Sequence, residues 1–133
     1  MPFDLLATYA SLAEREKSKG HHSPEGAAIR IFSRALTGWL AGKLGKLDVL
    51  VLCERGMEDW LKRRLALHPW STRDLPELLD RAVEKQLITR QDAVRLQKMH
   101  FARRRMDDGG GGGEASQAEN ALELCIRVVE RHW

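Results

Sequence analysis

The sequence predicts an all-α protein, an antiparallel helical bundle of five to six helices, and three observations carry the prediction. Apolar residues recur at helical spacing in one segment after another. Capping residues stand in front of several of these segments. The run Val49-Leu50-Val51-Leu52 has the composition of a buried strand, but no second strand-like run exists to pair with it.

Taken in order, residues 1–23 are an extra N-terminal helix followed by a polar linker. Phe3, Leu5, Leu6, Tyr9, Leu12 and Ala13 share one side of that helix, and Ser18-Lys19-Gly20-His21-His22 ends it. Residues 24–133 are the bundle proper. Ser23 caps its first helix, and Pro24 takes the first helical position, where its missing N–H has no partner to lose. Ala27, Ala28, Ile31, Phe32, Ala35, Leu36, Trp39 and Leu40 run along it until Gly42 and Gly45. The next helix is expected from Lys46 to Leu67, with Pro69 stopping it. It is apolar on nearly every side, which makes it the central helix. Thr72 or Asp74 caps a fourth segment striped with Leu75, Leu78, Leu79, Ala82, Val83 and Leu87, and Pro76 lies in its tolerant first turn. Thr89-Arg90-Gln91-Asp92 is a variant capping box for a helix lined by Ala93, Leu96, Met99 and Ala102. The glycine-rich loop 109–113 breaks that helix, because consecutive glycines give up too much backbone entropy to stay helical. Ser116-Gln117-Ala118-Glu119 is a capping box for a closing helix.

Composition narrows the functional classes. Apolar residues make up 43% and charged residues 31%, a globular balance. The formal net charge of +3 does not by itself imply a polyanionic partner, so the clustering of charge matters more than its sum. Cys53 and Cys125 lie far apart in apolar patterns and read as small buried hydrophobes in a reducing compartment. No secretory signal or membrane-length apolar run is present, and the expectation is a cytoplasmic protein.

No cofactor fingerprint or P-loop occurs, and no metal is expected. His21 and His22 share a polar stretch, while His68, His100 and His132 stand alone, without ligand spacing. The basic residues are more informative. Arg90, Arg95, Lys98, Arg103, Arg104 and Arg105 fall on one helix, and Lys62-Arg63-Arg64 closes the central one. The helix dipole accounts for one or two cations in a last turn, but three consecutive arginines exceed that requirement. The functional reading is a phosphate-binding face built from Arg95, Lys98, Arg103, Arg104 and Arg105.

Two local patterns resemble the HEPN superfamily. Gly56-Met57-Glu58-Asp59-Trp60-Leu61-Lys62 is similar to a small-x-Glu-x-x-Leu-Lys pattern on that family's second core helix. The stretch from Leu96 to Gly109, through Arg103-Arg104-Arg105, is similar to the end of its penultimate helix. Ser116 to Trp133 fits its closing helix. The resemblance covers residues 24–133. It implies a helical bundle that often forms a homodimer, with a polar groove where two penultimate helices meet. Many members are metal-independent ribonucleases using Arg-x(4–6)-His, in which the histidine moves protons and the arginine steadies the phosphate. Others bind RNA or protein partners, and some act as antitoxins.

The sequence departs from the catalytic pattern. With Arg103 in the arginine position, Asp108 stands where histidine belongs, and a carboxylate is a poor proton donor at neutral pH. Arg95-x4-His100 matches by spacing, yet its side chains point about 140° apart on a helix. Three readings follow. The favoured one is a non-catalytic HEPN-like module that binds RNA, a nucleotide or a protein partner through a basic helix face, with Glu58, Lys62 and Asp108 in support. The second is a toxin-like or defence ribonuclease using His100. The third is a structural, partner-binding bundle. Glu58 is expected to pair with Lys62 one turn on and to orient an arginine of the basic helix.

Overall fold

The computed structural model describes residues 7, 10, 11, 14, 24–68, 70–107 and 116–132. Five helices are seen among them: α1 (Pro24–Leu40), α2 (Lys46–Arg64), α3 (Leu75–Glu84), α4 (Arg90–Asp107) and α5 (Ser116–Arg131). Ala7, Ala10, Ser11 and Glu14 are also helical. The remainder of the expected N-terminal helix, the Ser23 cap, Asp108 and the glycine-rich loop lie outside the described residues.

Helix α2 is central, as its apolar circumference requires: it packs against α1, α3, α4 and α5. Its partners cover Val49, Leu50, Cys53, Met57, Trp60 and Leu61, each 2% exposed or less. The approach of α1 to α2 depends on Gly56. A Cβ there would stand 2.5 Å from the ring of Phe32, itself fully buried, so only glycine lets the two helices come this close. The turn between them uses Gly42 at φ 70°, and Lys43 N–H donates to Gly38 O at 2.9 Å.

Helix ends follow the local chemistry, with one correction. α2 stops at Arg64 rather than Leu67. Ala66 takes φ 56° and Leu67 N–H returns to Lys62 O at 2.8 Å, a left-handed cap that swings Leu67 back against the core. Asp74, not Thr72, caps α3 by accepting from Glu77 N–H at 3.2 Å, and α3 ends at Glu84 with Gln86 at φ 60°. Thr89 Oγ1 accepts from Asp92 N–H at 3.1 Å, half of the expected capping box. The Asp92 carboxylate is occupied elsewhere.

That carboxylate belongs to a network at one end of the bundle. Asp92 is 3% exposed and accepts from Arg131 at 2.6 Å and from His132 Nε2 at 3.2 Å. The His132 carbonyl accepts from Arg64 at 3.0 Å, and Arg64 also donates to buried Glu25 at 3.1 Å. Four helix termini are thereby tied together by charge-assisted bonds that satisfy two buried carboxylates.

Cys53 and Cys125 are fully buried free thiols. Cys125 Sγ lies 4.0 Å from Cys53 O and 3.7 Å from Met99 Sδ, and burial pushes its thiol well above its ordinary range. Among the described residues, no helix is long and apolar enough to cross a membrane.

Candidate functional site

The basic helix α4 has two faces of different chemistry. Leu96, Met99 and His100 turn inward and are at most 7% exposed, whereas Arg95, Lys98, Phe101, Arg104 and Arg105 are exposed. Helical geometry accounts for the split. Positions 96, 99, 100 and 103 share one arc, and positions 94, 98, 101 and 105 share the opposite arc.

The inner arc converges on a residue that the sequence reading did not single out. Glu54 of α2 is 5% exposed and its carboxylate bonds both His100 and Arg103 of α4. An ionised carboxylate only accepts, so His100 Nδ1 and Arg103 Nε are the donors, one to each oxygen. His100 is 5% exposed, and the Arg103 side chain reaches the edge of the bundle. Glu58 lies one turn further along α2. Burial raises its carboxyl above the ordinary value of 4.5, and the charge of Glu54 adds to that shift. Lys62, Arg103 and His100 act in the opposite sense without cancelling it. Glu58 is thus within electrostatic reach of α4, and Arg103 donates to Glu54, the carboxylate one turn before it.

The candidate residues separate accordingly. Arg95 and His100 are not brought together: His100 is buried against Glu54, and Arg95 is exposed on the other flank beside Lys98. Arg103 leaves the proposed phosphate face and joins the inner cluster. The Lys62-Arg63-Arg64 run is largely structural, since Arg63 pairs with Asp59 at 2.9 Å and Arg64 serves the end-of-bundle network. Arg64 also stacks its guanidinium 5.8 Å from the Trp60 ring centre.

On the outer arc, Lys98, Phe101, Arg104 and Arg105 line a groove of about 670 Å³. Phe101 is 51% exposed, and its ring meets the His100 ring edge-on at 5.5 Å between centres. Half of this large apolar ring stands open among three cations, and the sequence pattern alone did not single it out. The signal was available in retrospect: Phe101 is an aromatic within the basic outer positions Lys98, Arg104 and Arg105 of α4. Chemically the groove offers three donors for phosphate oxygens and one flat surface for a planar ring.

Among the described residues, no group of three or more His, Cys, Asp or Glu side chains is placed to hold a metal ion. No family model, curated protein or solved structure matches this chain.

Proposed function

We propose that this chain is a non-catalytic, HEPN-like module that binds single-stranded RNA through the outer face of α4. The observation that carries the reading is the groove in which Phe101 stands among Lys98, Arg104 and Arg105. Non-sequence-specific recognition of single strands combines cations that follow the backbone with an aromatic ring on which a base stacks. A duplex hides its bases and has no use for Phe101, so the aromatic favours an unpaired strand. The choice of RNA comes from the family resemblance in the sequence. The ribonuclease alternative asks His100 to move protons on a substrate, and His100 is buried with one ring nitrogen committed to Glu54. A purely structural bundle leaves the exposed Phe101 without a role.

The test is a salt titration of binding to a labelled single-stranded RNA. Three phosphate contacts give a slope of about −2 in log K against log salt, and removing one cation reduces it by about 0.7. Phe101→Ala weakens binding by about 1–3 kcal/mol and leaves the slope unchanged. Binding to duplex that equals or exceeds single-strand binding, or no effect of Phe101→Ala, overturns the proposal. Metal-free cleavage of the RNA, lost in His100→Ala, promotes the ribonuclease instead.

A further inference from the structure

Two hollows flank the outer face of α4, one on each side, and they carry opposite charge. Toward α3 lies a groove of about 430 Å³ whose charged side chains are Asp80, Glu84 and Arg90, all exposed. Two carboxylates against one guanidinium leave it with a net charge of −1. Toward α5 lies a cleft of about 220 Å³ whose charged side chains are Arg95 and Lys98, both exposed. The described residues that line this cleft include no carboxylate, and its net charge is +2. Helical geometry makes the division. Three positions separate Arg95 from Lys98 and keep them on one flank, whereas five separate Arg90 from Arg95 and turn them about 140° apart.

The two hollows also differ in how they meet the Phe101 groove. Lys98 lines both that groove and the α5 cleft, so the two form one continuous basic surface. No described residue lines both the Phe101 groove and the acidic hollow. A strand whose base stacks on Phe101 must carry its next phosphate off the groove on one side or the other. Flanking charges act over about 10 Å at 0.1 M salt, so the sign of the flank decides the side.

We infer that a single strand bound at Phe101 continues over Lys98 onto the α5 flank, where the Arg95 guanidinium takes a fourth phosphate, and that it avoids the α3 flank. The inference rests on the RNA reading above and gives the strand a path: Arg104 and Arg105, then Phe101 and Lys98, then Arg95. The fork of N–H donors on Arg95 matches a phosphate bidentately. The buried floor of the cleft, Leu50, Met99 and Ala121, carries no hydrogen-bonding side chain for a base edge. The added contact therefore contributes affinity and salt dependence rather than sequence preference.

The experiment titrates a 5′-phosphorylated trinucleotide and a 5′-phosphorylated hexanucleotide of uridine against the protein over a salt series. The trinucleotide has three phosphates, as many as the Phe101 groove contacts, and its slope in log K against log salt is expected at about −2. The hexanucleotide reaches Arg95, and its slope is expected at about −2.8. Arg95→Gln returns the hexanucleotide slope to about −2 and leaves the trinucleotide slope as it was. Arg90→Gln removes the same charge from the same helix and changes neither slope. Thermal melting confirms that both variants fold. Equal slopes for the two lengths, a hexanucleotide slope unmoved by Arg95→Gln, or a slope reduced by Arg90→Gln instead overturns the path. Where Phe101→Ala still weakens binding in that case, the RNA reading stands without it. No hexanucleotide binding by the native chain, or no effect of Phe101→Ala, overturns the RNA reading and the path with it.

Discussion

Arg103 Nε donates to the carboxylate of Glu54, across 49 positions of sequence, and so fastens the basic helix to the centre of the bundle. His100 bonds the other oxygen of the same carboxylate. One buried acidic side chain thus holds two donors of α4, and that contact fixes which face of α4 looks outward.

Replacing Glu54 with Gln keeps the volume but removes the charge that both donors address. Breaking a buried ion pair from one side leaves the partner uncompensated, at a cost of about 3 kcal/mol. We expect Glu54→Gln to lower the unfolding free energy by that amount, read as a lower urea midpoint at an unchanged slope. Glu54→Gln should cost more than Arg103→Met, because the Arg103 side chain is 23% exposed against 6% for Glu54. A loss below about 1 kcal/mol for Glu54→Gln would show that the cluster does not anchor the helix.

Glu58 makes the opposite prediction. Its folded-state pKa is raised above 4.5, chiefly by burial and secondarily by Glu54, so the fold disfavours its charged form. Below the unfolded value the carboxyl is neutral in both states, and the shift has no effect on stability. As pH rises from about 4.5 through the folded value, the unfolded chain ionises first and the native state loses stability. Glu58→Gln is therefore expected to stabilise the protein at pH 7.5 and to match the native chain near pH 4. Urea midpoints at the two pH values check this. A stabilisation that is the same at both would assign the effect to packing rather than ionisation.

The all-α class, the central place of α2 and the starts of α3 and α4 were legible because each rests on local pattern: an apolar circumference, an Asp cap, a Thr cap. The end of α2 was not. Ala66 in a left-handed conformation is disfavoured locally and is repaid by the packing of Leu67, a tertiary gain with no local sign. The Glu54 cluster was half legible. Glu54 sits in the same stripe as Leu50, Cys53, Met57 and Leu61, and a carboxylate there calls for a buried partner. Which cation would answer depends on how α4 lies across α2, and spacing along the chain carries no such information. The split of Arg95-x4-His100 was legible, since five residues of helix set the two side chains about 140° apart, and they lie on different faces.

The thiols supply a third prediction. Cys53 and Cys125 are fully buried, and burial raises the Cys125 thiol, which suppresses the thiolate that reacts. A chromogenic disulfide reagent at pH 8 should label neither thiol in the native protein and both in denaturant. Rapid labelling of the folded chain would mean that the α2–α5 contact opens easily, and the Cys53→Ala and Cys125→Ala variants would show which thiol is reached.

Self-association is the last expectation, and the fold changes its grounds. A central helix that is apolar on nearly every side could call for a partner chain, yet α1, α3, α4 and α5 cover it within one chain. Among the described residues, the large apolar ones left exposed are Leu40, Trp70, Val94 and Phe101, and of these only the last two share a helix. A homodimer of the kind the HEPN resemblance implies would pair α4 with its own copy. Lys98, Arg104 and Arg105 of one chain would then face the same residues of the other. Bare, such a contact is opposed by like charge and gains from screening, which shortens the reach of these charges from about 10 Å at 0.1 M salt to about 3 Å at 1 M. With RNA bound between the two faces the sign reverses, since the bridge itself consists of phosphate contacts that salt weakens. Sedimentation across this salt range is therefore expected to show dimer increasing with salt in the absence of RNA and decreasing with salt in its presence. The same trend in both series would place any dimer contact away from α4, and a monomer throughout would remove the homodimer from the proposal while leaving the single-chain groove intact.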